Sequence, residues 1–455
     1  MKLDPSIFKA YDIRGIYPDS LDEEITEKVG RAYAKIMQKE NPDKVLSIVV
    51  GNDMRMSSPS LKESLIKGLT GSGLNVVDIG LVTTPTFYFA VGYYGHDGGV
   101  MVSASHNPKE YNGLKMVRAK GKPMGGETGI YDIRDMVKED NFEDAQRKGQ
   151  VTKKTGVVEE EVVIQREGID WQSIKPLKIV ADAANAMGAM DMEAMFKDLP
   201  CELIKLNFEL DGNFPVHPPD PLKEENLEML KESVKEHDAD LGIASDGDGD
   251  RYFFVDEKGK TVPQPILRGL MAQIELEKDP GATVCYDIRP GRITKEMIEE
   301  AGGKPCVTRV GHSLINEKML KEGAIFGGES SGHYFYKFDY GTFEAPVVFV
   351  LKFLTYISKQ DKPVSEIIAP YDKYHHSGEI NFEVEDKEGK MEEVAKKYED
   401  SCEISKLDGV TVTCDDFWFN IRPSNTEPLL RLALEAVSKE KMEEKKKELV
   451  EIINP

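Results

Sequence analysis

Val45-Leu-Ser-Ile-Val-Val-Gly-Asn-Asp53 is a short run rich in Val and Ile that empties into a polar turn. Such a run, bounded by turn residues, reads as a buried strand. A helical pattern follows. Ser58 suits an N-cap, and Pro59 the first helical position. Leu61, Leu65 and Leu69 then recur at i, i+4 and i+8 and line one face. Gly71 and Gly73 close the helix. Residues 76–79 read as a second strand. Farther on, Gly99-Val-Met-Val-Ser-Ala-Ser-His-Asn-Pro108 is a third strand opening into a polar loop. Strands alternating with helices predict a mostly parallel sheet. The functional residues of such sheets lie in loops at the carboxyl ends of the strands.

The same order of elements recurs twice more. Residues 177–181 lead to Asp182, 202–206 form the next strand, and Leu241-Gly-Ile-Ala-Ser-Asp-Gly-Asp-Gly-Asp-Arg251 ends in a polar loop. Residues 282–286 lead to Asp287, 305–310 follow, and Ala324-Ile-Phe-Gly-Gly-Glu-Ser-Ser-Gly-His333 closes the third unit. From about Tyr371 the character changes. Residues 379–384, 418–422 and 429–437 read as strands, and Lys439–Ile453 as a charged amphipathic helix with Met442, Leu449, Ile452 and Ile453 on its apolar side. The expected fold is α/β: three similar mixed-sheet α/β domains plus a smaller α+β C-terminal domain around a central cleft. The expected boundaries are 1–150, 151–256, 257–368 and 369–455. The polar stretches 138–161 and 358–363 read as linkers.

The chain has 455 residues, and 59 Lys+Arg against 81 Asp+Glu give a net charge of −22. At about 150 residues per domain the length suggests about three domains, each able to bury a core. The acidic balance argues against nucleic-acid or anionic-membrane partners, which need an excess of Lys and Arg. Any phosphorylated ligand would need positive charge concentrated locally. The start, Met-Lys-Leu-Asp-Pro, is not a signal peptide, and the most apolar region, 347–354, is interrupted by Lys352. A cytoplasmic location follows as an expectation. Five scattered cysteines without a Cys-x-x-Cys pair read as inert thiols in a reducing compartment.

Asp246-Gly-Asp-Gly-Asp250 is the strongest local signal. Glycines let the backbone turn so that three carboxylates converge. Their mutual repulsion calls for a cation, and all-oxygen ligands select a hard one, Mg²⁺ or Ca²⁺. An EF-hand is excluded, because position 6 of that loop must be Gly and here is Arg251. The competing reading is a solvated acidic turn. Ser105-His106-Asn107-Pro108 could present a nucleophile, although Ser and Asn-Pro also make plain turns. It lacks the Gly-x-Ser-x-Gly elbow, so acyl hydrolysis is not indicated. Arg422-Pro-Ser-Asn-Thr426 offers a guanidinium, hydroxyls and an amide, a set that suits phosphate, beside the plainer reading of a Pro/Ser/Asn turn with one exposed arginine. The loop from Gly327 to His333 offers a carboxylate, hydroxyls and an imidazole, which suits sugar hydroxyls; a plain flexible loop is the competing reading. Arg309 and His312 stand at or just past the end of the 305–310 strand, with His312 expected in a loop.

Together these loops resemble the α-D-phosphohexomutase superfamily, in its phosphomannomutase/phosphoglucomutase branch. Phe8-Lys-Ala-Tyr-Asp-Ile-Arg-Gly15 looks like the family's amino-terminal signature, and the loops at 105–108, 246–251, 328–333 and 422–428 look like its phosphoserine, metal, sugar and phosphate loops. Five motifs in order over essentially the whole chain are highly specific. The resemblance implies that Ser105 carries phosphate. It implies that Asp246, Asp248 and Asp250 hold Mg²⁺ together with a phosphoserine oxygen of Ser105. Glu329, Ser331 and His333 would bind sugar hydroxyls, and Arg422, Ser424, Asn425 and Thr426 the non-reacting phosphate. Arg14, His106, Lys115, Arg251 and His312 would line the reaction centre, with Arg309 nearby. Arg289 fits only loosely. Ser330 matches neither the Met common in phosphomannomutases nor the Gln of phosphoglucosamine mutases.

The expected reaction interconverts hexose 1-phosphate and hexose 6-phosphate, of mannose or glucose, through a hexose 1,6-bisphosphate. Lys115 and His312 are the candidate acid and base. The expected partners are phosphorylated hexoses only, with no nucleic acid and no membrane, and the chain is expected as a monomer or weak homodimer. Two alternatives stand beside this reading: a phosphoglucosamine mutase, and a non-catalytic sugar-phosphate or divalent-cation binder.

Overall fold

In the computed structural model the opening strand runs over Ser47–Asn52, two residues later than the sequence reading. Val45 is exposed, while the polar turn residue Asn52 still pairs in parallel with Leu81 and Val102. The ladder thus extends into the turn. The helix runs over Ser58–Gly71 and buries Leu61, Leu65 and Leu69 as read. Its cap differs. Ser57 occupies the N-cap without a side-chain hydrogen bond, and the Ser58 hydroxyl donates instead to Asp53.

The structure describes residues 3–289, 291–424 and 429–454. They group into two compact units, Met1–Val262 with Ser331–Ser365, and Pro263–Ser330 with Glu366–Pro455.

The first unit holds two mixed sheets. One is ordered Ile13–Ile16, Tyr111–Arg118, Gly98–Val102, Ser47–Asn52, Asn75–Leu81, Val151–Lys153. Its three central parallel strands place their carboxyl ends on one edge, where Ser105 follows Val102. The other is ordered Tyr252–Asp256, Leu241–Ser245, Lys178–Asp182, Glu202–Leu206. Here the acidic loop joins the antiparallel pair of Leu241–Ser245 and Tyr252–Asp256. The stretch 138–161, read as a linker, contains an edge strand, Val151–Lys153, and the start of a helix, Val157–Gln165. That strand is exposed along its length, so its sequence carries no alternation to detect. The apolar region near 350 is the helix Pro346–Gln360, whose Phe349 and Phe353 stack on Phe254.

In the second unit, Thr283–Asp287 lies between Lys304–Thr308 and Phe326–Gly328, in parallel with both. His312 opens a helix, His312–Glu322, where the sequence suggested a loop. The C-terminal part is an antiparallel sheet ordered His375–Phe382, Leu430–Ala436, Phe417–Pro423, Val410–Thr413, Glu403–Ser405. Two helices, Lys387–Tyr398 and Lys439–Ile453, contribute Val394, Leu449 and Ile453 to a core with Phe419 and Leu432.

The thiol expectation is corrected here. Cys402 and Cys414 form a disulfide, with Cα atoms 4.8 Å apart. The antiparallel register Glu403↔Thr413 sets the two cysteines just past the paired strand ends. The spacing of 12 residues becomes a contact only through that hairpin. Among the described residues no helix is long and apolar enough to cross a membrane.

Candidate active site

Ser105 lies three residues beyond the strand Gly98–Val102, in a left-handed conformation with φ of +50°. A serine rarely adopts this region unless its surroundings force it. Its backbone N–H donates to Ser103 Oγ at 3.0 Å. Its Oγ donates to Asp246 Oδ2 at 2.8 Å and lies 3.2 Å from His106 Nδ1. The hydroxyl has one proton, given to the carboxylate, so the His106 contact runs the other way, with Nδ1–H donating to Oγ. The nearby Arg251 guanidinium, then burial, then Arg14 push the His106 pKa well below its ordinary value and hold the ring neutral. Arg14, on the strand Ile13–Ile16, bonds Asn107 Oδ1 and pairs with Asp12.

The acidic loop closes on the serine. Gly247 packs on it so tightly that a Cβ there would sit 2.3 Å from the Ser105 carbonyl oxygen. Gly249 has φ of +75°, which a residue with a side chain resists. Asp246 Oδ1 accepts from the backbone N–H of Asp250 at 3.1 Å. Lys115 Nζ donates to Asp248 Oδ2 at 2.6 Å and to Asp250 Oδ2 at 2.7 Å. Burial pulls the Lys115 ammonium down, but Asp248 and Asp250 outweigh it and hold the pKa well above the ordinary lysine range. Burial and the other two carboxylates push Asp246 up, whereas Lys115 holds Asp250 well below its usual value against burial.

The donor set fits a cation. One oxygen from each of Asp246, Asp248 and Asp250 lies within 4.8 Å of the others. Asp250 Oδ1 lies 3.2 Å from His333 Nε2, while Asp248 Oδ1 is buried without a hydrogen-bond partner among the described residues. Buried carboxylate oxygens are rarely left so, and an all-oxygen set selects a hard divalent ion. Arg251 Nε lies 3.7 Å from Asp246 and donates to His333 Nε2 at 3.2 Å. Ser331 Oγ lies 3.0 Å from His333 Nδ1.

Sequence reasoning missed two residues around this loop. Thr84 donates through Oγ1 to Asp248 Oδ2 at 2.6 Å, and through its N–H to the Asp248 carbonyl at 2.9 Å. Arg55 bonds the backbone of the serine loop from below. Both follow strands at the carboxyl edge, so position was the available signal, and neither belongs to a motif with a mechanism of its own.

Beside Thr84 lies a buried carboxyl pair. Thr83 Oγ1 donates to Asp191 at 3.3 Å, and Thr86 Oγ1 bonds Glu161. Burial raises the Asp191 pKa to about 7, while burial and Asp191 raise Glu161. A raised acid binds its proton more tightly in the folded state. Its stabilising contribution is therefore complete below pH 4 and is lost as pH rises through about 7. Asp191→Asn removes that dependence. Its melting temperature relative to the wild type should rise between pH 5 and pH 8, by an amount reflecting roughly 1–3 kcal/mol. A difference constant across that range would contradict it.

In the second unit Glu329 Oε1 accepts from the Gly311 N–H at 3.1 Å. Arg289 grips Asp287 Oδ2 through Nε at 2.8 Å and Nη2 at 2.6 Å. The Asp287 carboxylate also pairs with buried Arg268 and accepts from the Ser330 N–H and hydroxyl at 3.1 and 2.9 Å. The Ser330 hydroxyl thus lies between the Asp287 carboxylate and the Arg289 carbonyl, either of which can take its single proton. Arg422 and Arg431 each lie 3.1 Å from Glu379. Burial, then Arg289, pull the Arg422 pKa down. The Ser424 N–H donates to the Leu429 carbonyl at 2.8 Å. Arg309 is exposed. Asn425 and Thr426 lie outside the described residues.

Of the expected site residues, Arg14, Ser105, His106, Lys115, Asp246, Asp248, Asp250, Arg251, Ser331 and His333 belong to the first unit. Arg289, Arg309, His312, Glu329, Arg422 and Ser424 belong to the second.

Comparison with known proteins adds an independent line. Models of the phosphoglucomutase/phosphomannomutase α/β/α domains I, II and III match residues 5–144, 163–259 and 266–374, and that of the C-terminal domain matches 379–452. A phosphomannomutase from Vibrio cholerae is 41% identical over 437 residues, covering 94% of each chain. A protein described as phosphohexose mutases, from Xanthomonas campestris, is 40% identical and covers 94% of each. The crystal structure of a phosphoglucomutase/phosphomannomutase family protein from Burkholderia thailandensis superposes with a TM-score of 0.91 at 32% identity, over 100% of this chain and 98% of that one.

Proposed function

The chain belongs to the phosphoglucomutase/phosphomannomutase family and is a phosphohexomutase, and from that premise we propose that Ser105 carries the phosphoryl group its reaction moves. The observation behind this is the direct bond from Ser105 Oγ to Asp246, beside Lys115, Asp248 and Asp250. The proposed substrates are mannose and glucose phosphates, worked on by four domains bounded at residues 150, 256 and 368. The protein is placed in the cytoplasm, as a monomer or weak homodimer without nucleic-acid or membrane partners.

Phosphoryl transfer needs in-line positioning and neutralisation of spreading negative charge. Phospho-Ser105 gives its phosphoryl to the free hydroxyl of a hexose monophosphate. The P–O bond to Ser105 breaks as a P–O bond to the sugar forms, and the sugar's proton leaves to a base. The hexose 1,6-bisphosphate turns around, and its other phosphoryl returns to Ser105. His106, neutral and donating to Oγ, stabilises the departing serine oxygen. Lys115, Arg14 and Arg251 offset the charge on the phosphoryl oxygens. In this structure Asp248 and Asp250 hold Lys115 as an ammonium, which suits an electrostatic role. Asp246, Asp248 and Asp250, with the phosphoserine, would hold Mg²⁺, which supplies Lewis-acid neutralisation of the phosphoryl oxygens. Glu329, Ser331 and His333 would take sugar hydroxyls, while Arg289, Arg309, His312, Arg422, Ser424, Asn425 and Thr426 complete the sugar and phosphate subsites.

A coupled assay tests the substrate class. With Mg²⁺ and added bisphosphate, mannose and glucose 1-phosphates should turn over at least about tenfold faster than glucosamine 1-phosphate. Preference for glucosamine would move the protein to another branch, and Ca²⁺ binding with no turnover of any of the three would favour a binding protein.

A further inference from the structure

Arg55 stands just past the strand Ser47–Asn52 and is 1% exposed. Its Nη2 donates to the carbonyl oxygens of Ser105 at 2.7 Å and Asn107 at 2.6 Å. Its Nη1 donates to those of Pro108 at 2.7 Å and Tyr111 at 2.9 Å. Its Nε lies 3.3 Å from Asp53 Oδ2, and that carboxylate is itself fixed by Ser58 Oγ and the Arg55 N–H. The Phe214 ring covers the guanidinium, with its centroid at 5.1 Å. Gly212 packs on the Arg55 backbone so closely that a Cβ would fall 2.8 Å from Arg55 Cα.

One cation thus gathers four carbonyls of the 105–111 loop, one of them belonging to Ser105 itself. A guanidinium offers five N–H donors in a fixed fork and keeps its charge in any protein setting. An ammonium offers three donors without that geometry. The left-handed Ser105 needs such an anchor, since strained backbone persists only where its surroundings over-determine it. The same carbonyl is pressed from the other side by Gly247 of the acidic loop. Buried beneath the loop, Arg55 is not placed to touch a sugar.

We propose that Arg55 is a positioning residue, held by Asp53, that locks the serine loop and aims Ser105 Oγ at Asp246. It sets the rate of phosphoryl exchange at Ser105 and leaves sugar binding alone. The proposal rests on Ser105 as phosphoryl carrier.

The test uses the full-length, Mg²⁺-loaded enzyme as wild type, Arg55→Met and Arg55→Lys. Each is mixed with hexose 1,6-bisphosphate, quenched, and read by intact mass for phosphate on Ser105, alongside kcat, KM and melting temperature. Arg55→Met should slow exchange and kcat about a hundredfold with KM within about threefold, the scale of an ångström's misplacement of a reacting group. Arg55→Lys should recover part of that loss, and it decides alone, as a slowing of about tenfold, where the Met variant does not fold. Exchange at the wild-type rate in either folded variant overturns the proposal. So does a rate loss that vanishes once the assay is cooled below the variant's melting transition. Wild-type enzyme that never carries phosphate on Ser105 removes the carrier reading instead, and this proposal with it.

Discussion

Ser105→Ala is expected to lower mutase turnover by about ten-thousand-fold or more, with no covalent phosphate on the protein. The substitution removes the one atom to which the phosphoryl is proposed to bond, together with its hydrogen bond to Asp246. Methyl for hydroxymethyl leaves the sugar and phosphate subsites untouched, so KM should stay within about threefold while kcat collapses. The fold should survive, because the loop's backbone is held by Arg55 and Gly247, not by the hydroxyl. Coupled turnover and intact mass on the same preparation check the result. Turnover near the wild-type level, or covalent phosphate retained on the variant, would show that another group carries the phosphoryl.

Lys115→Met should produce two opposite changes. Turnover falls by roughly a hundred- to a thousandfold, the scale of losing a preorganised charge at a phosphoryl transfer site. Mg²⁺ binding strengthens by roughly tenfold, because the ammonium on Asp248 and Asp250 no longer competes with the ion. Without Mg²⁺ the variant keeps buried carboxylates that have lost their cation, a situation that typically costs about 3–5 kcal/mol. Its melting temperature should therefore depend on Mg²⁺ far more steeply than that of the wild type. Titration calorimetry and thermal melts with and without chelator read both effects. Turnover within about threefold of the wild type would remove Lys115 from the electrostatic machinery, and unchanged Mg²⁺ affinity would show that lysine and ion do not compete.

Much of this was legible in the chain. Period and turn residues located the central strands, because buried strands carry unbroken apolar runs and their loops carry the chemistry. Glu202–Leu206 and Lys439–Ile453 fall where they were read. The exposed strand Val151–Lys153 and the charged helix Lys387–Tyr398 did not show, since neither presents an apolar face strong enough to stand out. The carboxylate triad was readable because its members are neighbours in sequence. What escaped is long-range. Arg55 reaches the serine loop across 50 residues, and Thr84 reaches Asp248 across 164. The Cys402–Cys414 bond depended on a hairpin register that composition does not reveal. The acidic balance also changed meaning. Arg14, Lys115 and Arg251 gather around one serine, where each is set against carboxylates: Asp12, Asp246, Asp248 and Asp250.

The hydrogen bond between Ser105 and Asp246 joins residues 141 apart in the chain. During synthesis the serine leaves the ribosome on the order of ten seconds before its acid does. Nascent chains, and fragments left by stalled translation, therefore carry the serine in isolation, without the acidic loop that closes over it. On the proposed role of Ser105, phosphoryl transfer would wait until the acidic loop that bonds its hydroxyl has been made and folded.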